Sequence, residues 1–392
     1  MIWNRLAEKQ KEIIERGFSS GNALICGDST GIIFENYEGT KSADPGDPVS
    51  ADTVFHLYSM TKVFTVVSVM QLWEKGLIDI DDLLEKYIPA FSDVTVWENG
   101  AARPAKVRIT IRMLLSMTSG LSYFLEDPSG LAEKLAEKWR NGLKNGKMLG
   151  TRGFAEAVAG VPLSFEPGTK YLYGLSHDVL GAVIETVSGK TLDRYFEEHI
   201  IRPLGMKDTC FYQNVPDEVR PRLASNTAFV DGKYVDIDFP PRPVPIPVFE
   251  GTDDPKVFSG GSGLVGTARD YGSFLSEMLD PKKGILRPET IAEMIKPQLG
   301  PEQRACYNDP KGDPSISGPE HTFALGVRIQ DRPAKQGSVG EWGLSGALGT
   351  WFFVSPADGI WFVYMHQHSP AMHDAFIAGL RDVFYDILRS GR

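Results

Sequence analysis

The sequence predicts an α+β fold: one antiparallel sheet built from both chain termini, flanked by helices, with a large, mainly helical insertion between its halves. Three observations predict it. Strand-type segments lie near both ends, at 23–26, 31–37, 322–329, 349–354 and 359–367. Apolar residues recur at helical spacing through most of the middle. No repeat and no low-complexity linker beyond one proline run divides the chain, so the two ends are assigned to one sheet. The sheet part is expected over 1–75 and 300–392 and the helical part over 76–299, with a cleft between them.

Taken in order, residues 3–17 read as an amphipathic helix with Leu6, Ile13 and Ile14 on one side and Gly17 at its end. The first two strands join through Gly27-Asp28-Ser29-Thr30 as a hairpin. A Gly/Pro/Asp-rich loop over 39–50 leads to a short apolar run at 53–57. A helix follows to Gly76, with Val63, Val66, Val67, Met70, Leu72 and Trp73 at helical spacing. Asp79-Ile80-Asp81-Asp82 reads as a second helix start, its acidic residues suited to the first turn. Residues 108–121 read as a capped apolar helix, 130–147 as a charged helix and 153–159 as a short one. A Pro167-Gly168 turn opens an extended segment that becomes a helix at 177–189; another follows at 191–201. Five prolines between 239 and 249 predict extended loop, because proline lacks a backbone donor. Residues 259–264 read as a flexible turn, 268–279 and 288–298 as helices, Pro356-Ala357-Asp358-Gly359 as a hairpin turn, and 373–389 as a final helix.

Composition excludes several classes. The chain has 392 residues, 42% apolar and 23% charged, enough for a sizeable core. A net charge of −10 argues against nucleic acid and anionic membrane partners. The three cysteines, Cys26, Cys210 and Cys306, have no paired spacing and read as free thiols in a reducing compartment. No apolar run reaches membrane length and the first residues carry no signal core, so a cytoplasmic location is expected.

The chemistry-bearing residues start at Ser59. Lys62 lies three residues on, one helical turn along the same face. A serine hydroxyl becomes a nucleophile only beside a base, and a lysine serves as one when burial or charge depresses its proton affinity. A helix opening there also turns the Ser59 N–H outward, toward a developing oxyanion. Alone, this spacing reads better as an N-capping serine followed by a solvated lysine. Tyr173 stands at an extended-to-helix junction, where it either aims into a cleft as a base or packs with Tyr171 at a sheet edge.

Other signatures are missing. No Gly-x-Ser-x-Gly elbow, His-Glu-x-x-His pair or Gly-x-x-x-x-Gly-Lys loop occurs. His366 and His368 share one strand face, a spacing that suits a metal, but they read better as polar strand-end residues. No metal or organic cofactor is expected.

Ser59-Met60-Thr61-Lys62, in a Phe-x-x-x-Ser-x-x-Lys setting, resembles the serine β-lactamase and penicillin-binding protein superfamily. The stretches 109–121, 167–181 and 344–354 are similar to its class C branch, and the whole is most like the family VIII carboxylesterases. The resemblance implies a β-lactamase/transpeptidase-like fold with Ser59 as acylated nucleophile. Lys62 would be the activating residue, and Tyr173 the base of a Tyr-x-Asn-type motif whose third position is Leu175. Leu344-Ser345-Gly346 corresponds to the Lys-Thr-Gly motif, with Trp342-Gly343 as an alternative register. The N–H groups of Ser59 and Ala347 would form the oxyanion hole. Leu175, Trp342, Leu344, Ser345 and Gly346 would line the substrate, with Tyr58, Tyr123, Phe124, Trp351 and the proline run shaping an acyl site.

Leu344 departs from the lactamase lysine that receives a substrate carboxylate. This favours neutral esters. The expected function is therefore hydrolysis of a small-molecule ester, with no nucleic acid, no membrane insertion and homo-oligomerisation left open. The runner-up is a D-amino-acid peptidase, amidase or β-lactamase with the same residues. A catalytically silent binding protein of this fold is the reading from another class.

Overall fold

Near both chain ends, residues alternate between two greasy surfaces, and in the computed structural model those ends meet in one sheet. The structure describes residues 2–123, 150–237, 257–309, 318–371 and 373–390. The predicted helix at 130–147, Phe124 and the proline run lie outside them.

In chain order, α1 (Asn4–Glu15) precedes the hairpin β1 (Gly21–Asp28) and β2 (Gly31–Gly39), then β3 (Phe55–His56) and α2 (Thr61–Glu74). Next come β4 (Thr95–Glu98), β5 (Ala101–Pro104), α3 (Ile111–Leu115), α4 (Gly150–Ala159), α5 (Ser176–Ser188) and α6 (Leu192–Phe196). The short strands β6 (Cys210–Phe211), β7 (Thr227–Val230), β8 (Lys233–Asp236) and β9 (Leu264–Gly266) lead to α7 (Ala268–Leu279), α8 (Pro288–Met294) and α9 (Pro301–Tyr307). The chain closes with β10 (His321–Phe323), β11 (Arg328–Gln330), β12 (Trp342–Ser345), β13 (Trp351–Ser355), β14 (Ile360–Met365) and α10 (His373–Ser390).

The sheet has seven strands in the order β10-β11-β12-β13-β14-β1-β2, all neighbours antiparallel. The two ends join where β1 pairs with β14, Leu24 opposite Tyr364 and Ile25 opposite Val363. Successive side chains of a strand point to opposite faces. Leu24, Cys26, Trp351, Phe353, Phe362 and Tyr364 therefore share one face, covered by α1 and α10 through Leu6, Ile13, Phe376 and Phe384. Ala23, Ile25, Leu344, Phe352, Val354 and Val363 share the other, facing the central helices. Each Leu, Ile, Val or Phe among them, fully buried, contributes roughly 1.5–3 kcal/mol of transfer free energy.

Helix α2 is buried from Thr61 to Leu72. Its apolar residues surround the axis instead of forming a stripe, which marks a helix enclosed on all sides. Phe64 stacks on Phe274 of α7 with ring centroids 4.4 Å apart. Tyr271 of α7 in turn meets Phe352 of the sheet at 5.2 Å.

The structure differs from the sequence reading in several places. The acidic run at 79–84 does not start a helix. Asp79 and Asp82 turn their carboxylates onto the Asp81 and Asp79 N–H groups, and side chains that bond nearby backbone compete with helix formation. The apolar helix of 108–121 shrinks to α3, capped by the Thr110 hydroxyl on the Met113 N–H. The strand at 322–329 is two strands, folded back at Gly326 with φ of 72°. The middle also contains small sheets, including β3-β9-β6 and two tight hairpins. Asn99-Gly100 and Asp231-Gly232 make the two-residue turns between β4 and β5 and between β7 and β8, every one of them at positive φ. That conformation suits a type I′ turn, for which Asn-Gly and Asp-Gly are the favoured pairs.

Candidate active site

Ser59 lies in a single 3₁₀ turn, Tyr58–Met60, immediately ahead of α2. The turn is entered through Tyr58 at φ of 45°, an uncommon conformation for a residue with a side chain. Tyr58 is held there by donation from its hydroxyl to Asn226 Oδ1, 3.1 Å, and by stacking on His56. Gly346, just past β12, lies against the same backbone: a Cβ at 346 would sit 2.6 Å from the Leu57 oxygen. The Thr350 hydroxyl donates to that oxygen, 3.3 Å. Ala347, in the turn that follows, therefore lies on a backbone stretch adjacent to that of Ser59.

Lys62 occupies the first turn of α2 and is fully buried. Its ammonium donates to Ser59 Oγ at 3.1 Å, to the Tyr123 hydroxyl at 2.8 Å and to the Gly261 carbonyl at 2.8 Å. It also stands over the ring faces of Tyr173, 4.7 Å from the centroid, and Tyr123, 5.5 Å. Those two rings are 5.9 Å apart. Ser59, Lys62 and Tyr173 are thus brought together, with Tyr123 as the fourth member.

The two tyrosines come from loops that touch through their backbones. Leu172 N–H donates to the Met117 carbonyl, 2.9 Å, and a Cβ on Gly174 would run into the Leu121 carbonyl. Of the remaining sequence-predicted residues, Leu175 and Trp342 are fully buried, Trp342 edge-on to Phe352. Leu344 is 4% exposed, and Ser345 is half-buried at the end of β12.

His366 and His368 turn in different directions. His366 faces the Tyr364 hydroxyl and the Ala371 carbonyl, whereas His368 faces the Thr227 hydroxyl. Burial pushes His366 well below the ordinary histidine range. Among the described residues, no group of three His, Cys, Asp or Glu side chains is arranged to hold a metal ion. No described helix is long and apolar enough to cross a membrane.

Sequence reasoning missed three participants. Tyr123 entered only as an acyl-site aromatic, although its hydroxyl is bonded to Lys62. The Gly261 carbonyl was hidden in what read as a flexible turn. Asp178, buried behind that turn, accepts from Ser259 Oγ at 2.5 Å and from the Gly261 N–H at 3.1 Å. The glycines were the available signal: a Cβ on Gly261 would fall 2.6 Å from Asp178 Oδ2.

A family model described as Beta-lactamase matches residues 6–384. The chain belongs to that family. Esterase EstB of Burkholderia gladioli is 28% identical, over 90% of this chain and 88% of its own. Lovastatin esterase of Penicillium rubens is 30% identical over 75% of this chain and 73% of its own. Among solved structures, EstCE1, described as a hydrolase with promiscuous acyltransferase activity, superposes with a TM-score of 0.79 at 25% identity over 98% of both chains. The fold is β-lactamase/transpeptidase-like.

Proposed function

We propose that this member of the family is a serine carboxylesterase that works through an acyl-enzyme on Ser59. The observation that carries the reading is the buried Lys62 ammonium, bonded at once to the Ser59 and Tyr123 hydroxyls while facing the Tyr173 ring. A cation in a water-poor site favours ionised tyrosine. A tyrosinate beside Ser59 takes the serine proton as Oγ attacks the ester carbonyl. The Ser59 and Ala347 N–H groups receive the oxyanion. The same tyrosine returns the proton to the departing alcohol, then takes one from the water that releases the acid. Tyr173 is assigned this role, with Tyr123 tuning Lys62 from its other side.

Leu344 supports an ester over a carboxylate-bearing lactam or D-alanyl peptide, because it offers an apolar wall where a lysine would pair with that carboxylate. The relatives named esterases agree with this choice, and the promiscuous acyltransferase activity of EstCE1 makes transfer to an alcohol in place of water the natural side reaction. The test is a substrate panel on the purified chain. Rapid turnover of p-nitrophenyl butyrate, little turnover of a chromogenic cephalosporin or a D-alanyl-D-alanine peptide, and a fluorophosphonate adduct mapped to Ser59 are expected. The opposite preference overturns the ester assignment, and a chain that takes no adduct at Ser59 is a silent binding protein instead.

A further inference from the structure

We infer that Asp178 is a positioning residue for Lys62: from behind the 259–263 turn it orients the Gly261 carbonyl that receives the lysine, and it supplies the buried negative charge that keeps the lysine an ammonium. This deepens the reading of the Ser59 site and rests on it.

Asp178 is the third residue of α5 and is 2% exposed. Its Oδ1 accepts from the Ser259 hydroxyl and the Gly261 N–H. Ser259 Oγ also accepts from the N–H groups of Gly261, 3.2 Å, and Ser262, 2.9 Å. On the other side of the turn, α2 holds it twice. Thr65 donates to the Gly260 carbonyl, 2.7 Å, and Lys62 donates to the Gly261 carbonyl, 2.8 Å. Gly261 therefore bridges two buried charges, its N–H toward the carboxylate and its C=O toward the ammonium.

A buried carboxylate left alone costs several kcal/mol. Burial pushes the Asp178 carboxyl up, and the Lys62 charge leads the forces that bring it down, ahead of the Ser259 hydroxyl and the Gly261 N–H. Attraction is mutual, so the carboxylate favours the charged form of Lys62. An asparagine would satisfy the same turn donors without the charge. The groups facing Asp178 are Lys62 from α2, the turn donors from 259–261, and its α5 neighbour His177. Burial first, and then the Lys62 charge, hold His177 well below the ordinary histidine range, so it stays neutral. Facing Lys62 in turn are Ser59, Tyr123 and Tyr173.

The test is the pH dependence of kcat/KM for p-nitrophenyl butyrate in the wild type and in Asp178→Asn, with thermal melting of both. Without the carboxylate, Lys62 loses its proton at lower pH, so the alkaline limb moves down. The nearby tyrosine hydroxyls lose a repelling charge and ionise more readily, so the acidic limb moves down too. A shift of both limbs by about one pH unit is expected, with KM little changed. Limbs that stay in place overturn the inference, however far the plateau falls, because a loosened turn alone changes height and not position. If Asp178→Asn does not fold, Ser259→Ala carries the test: it takes a donor from the carboxylate, which then holds its proton to higher pH. The acidic limb should move down as in Asp178→Asn, by less; an acidic limb that stays in place overturns the inference, however far kcat falls. Fluorophosphonate labelling of the wild type separates the two levels. No adduct at Ser59 removes the site reading and this inference together, whereas an adduct with unmoved limbs removes only the inference.

Discussion

Two buried cationic clusters flank the sheet, and they differ in how their donors are used. On the α2 side, the three ammonium donors of Lys62 meet three acceptors, Ser59 Oγ, the Tyr123 hydroxyl and the Gly261 carbonyl. On the α10 side, Glu341 is fully buried and accepts from Arg381 Nη2, 2.8 Å, and from the Tyr385 hydroxyl. Arg328, 2% exposed, stands 3.5 Å from Glu341 and donates to His321 Nε2. Yet among the described residues Arg328 Nε and Nη2, Arg381 Nε and Gln330 Nε2 have no hydrogen-bond partner. A buried donor left unmet costs about 1–3 kcal/mol. The first cluster holds Ser59, Tyr123 and Tyr173 around one ammonium, whereas the second ties the last helix to the sheet. Chemistry and stability should therefore respond to different cations.

The sharpest way to break this contrast is Lys62→Met. Turnover of p-nitrophenyl butyrate should fall by about 10⁴-fold or more while the thermal midpoint falls only modestly, since Asp178, left without its cation, takes up a proton instead of standing charged. A variant that keeps wild-type turnover ends the proposed role of Lys62. Glu341→Ala should do the reverse. It leaves two arginines uncompensated and should cost about 3–5 kcal/mol in urea unfolding. Its kcat/KM per folded molecule should stay within about threefold of wild type. Equal losses of chemistry in both variants would mean that the clusters act as one.

Within the Lys62 cluster, Tyr173→Phe should lower kcat by about 10²-fold or more and Tyr123→Phe by less, because only the first removes the assigned base. The reverse ranking would transfer that role to Tyr123. The smallest effect concerns acid. Burial first, and then the charge of Arg328, push His321 down to about 2, whereas an unfolded histidine titrates near 6.5. Between those values the unfolded chain binds the extra proton, so stability falls as pH drops below 6.5. His321→Gln should flatten the loss between pH 6 and 5 by at most about 1.4 kcal/mol in urea titrations; an unchanged slope would mean that His321 is already charged in the folded protein.

The sheet was legible because strand-type segments at both ends each found a partner and burial on both faces enforced the register. Ser59 and Lys62 were legible because their separation is one helical turn. The hydrogen bond to Tyr123 was not: it depends on two loops, near 121 and 174, meeting through their backbones, which no local spacing encodes. The same holds for the Gly261 carbonyl, presented by a turn whose shape is set from α5. The small hairpins are another matter. Asn99-Gly100 and Asp231-Gly232 carry a strong local signal, overlooked because the surrounding residues were read as part of a helical insertion.

The meeting of Gly174 with the Leu121 carbonyl also bears on recombination. Any side chain at 174 would force the Tyr123 and Tyr173 loops apart, so the two segments form one heritable unit although about fifty residues separate them. A chimera that takes 117–123 from a relative must take 171–175 from the same parent. Libraries meant to alter substrate range have more freedom at residues whose backbones are not pressed against the opposite loop.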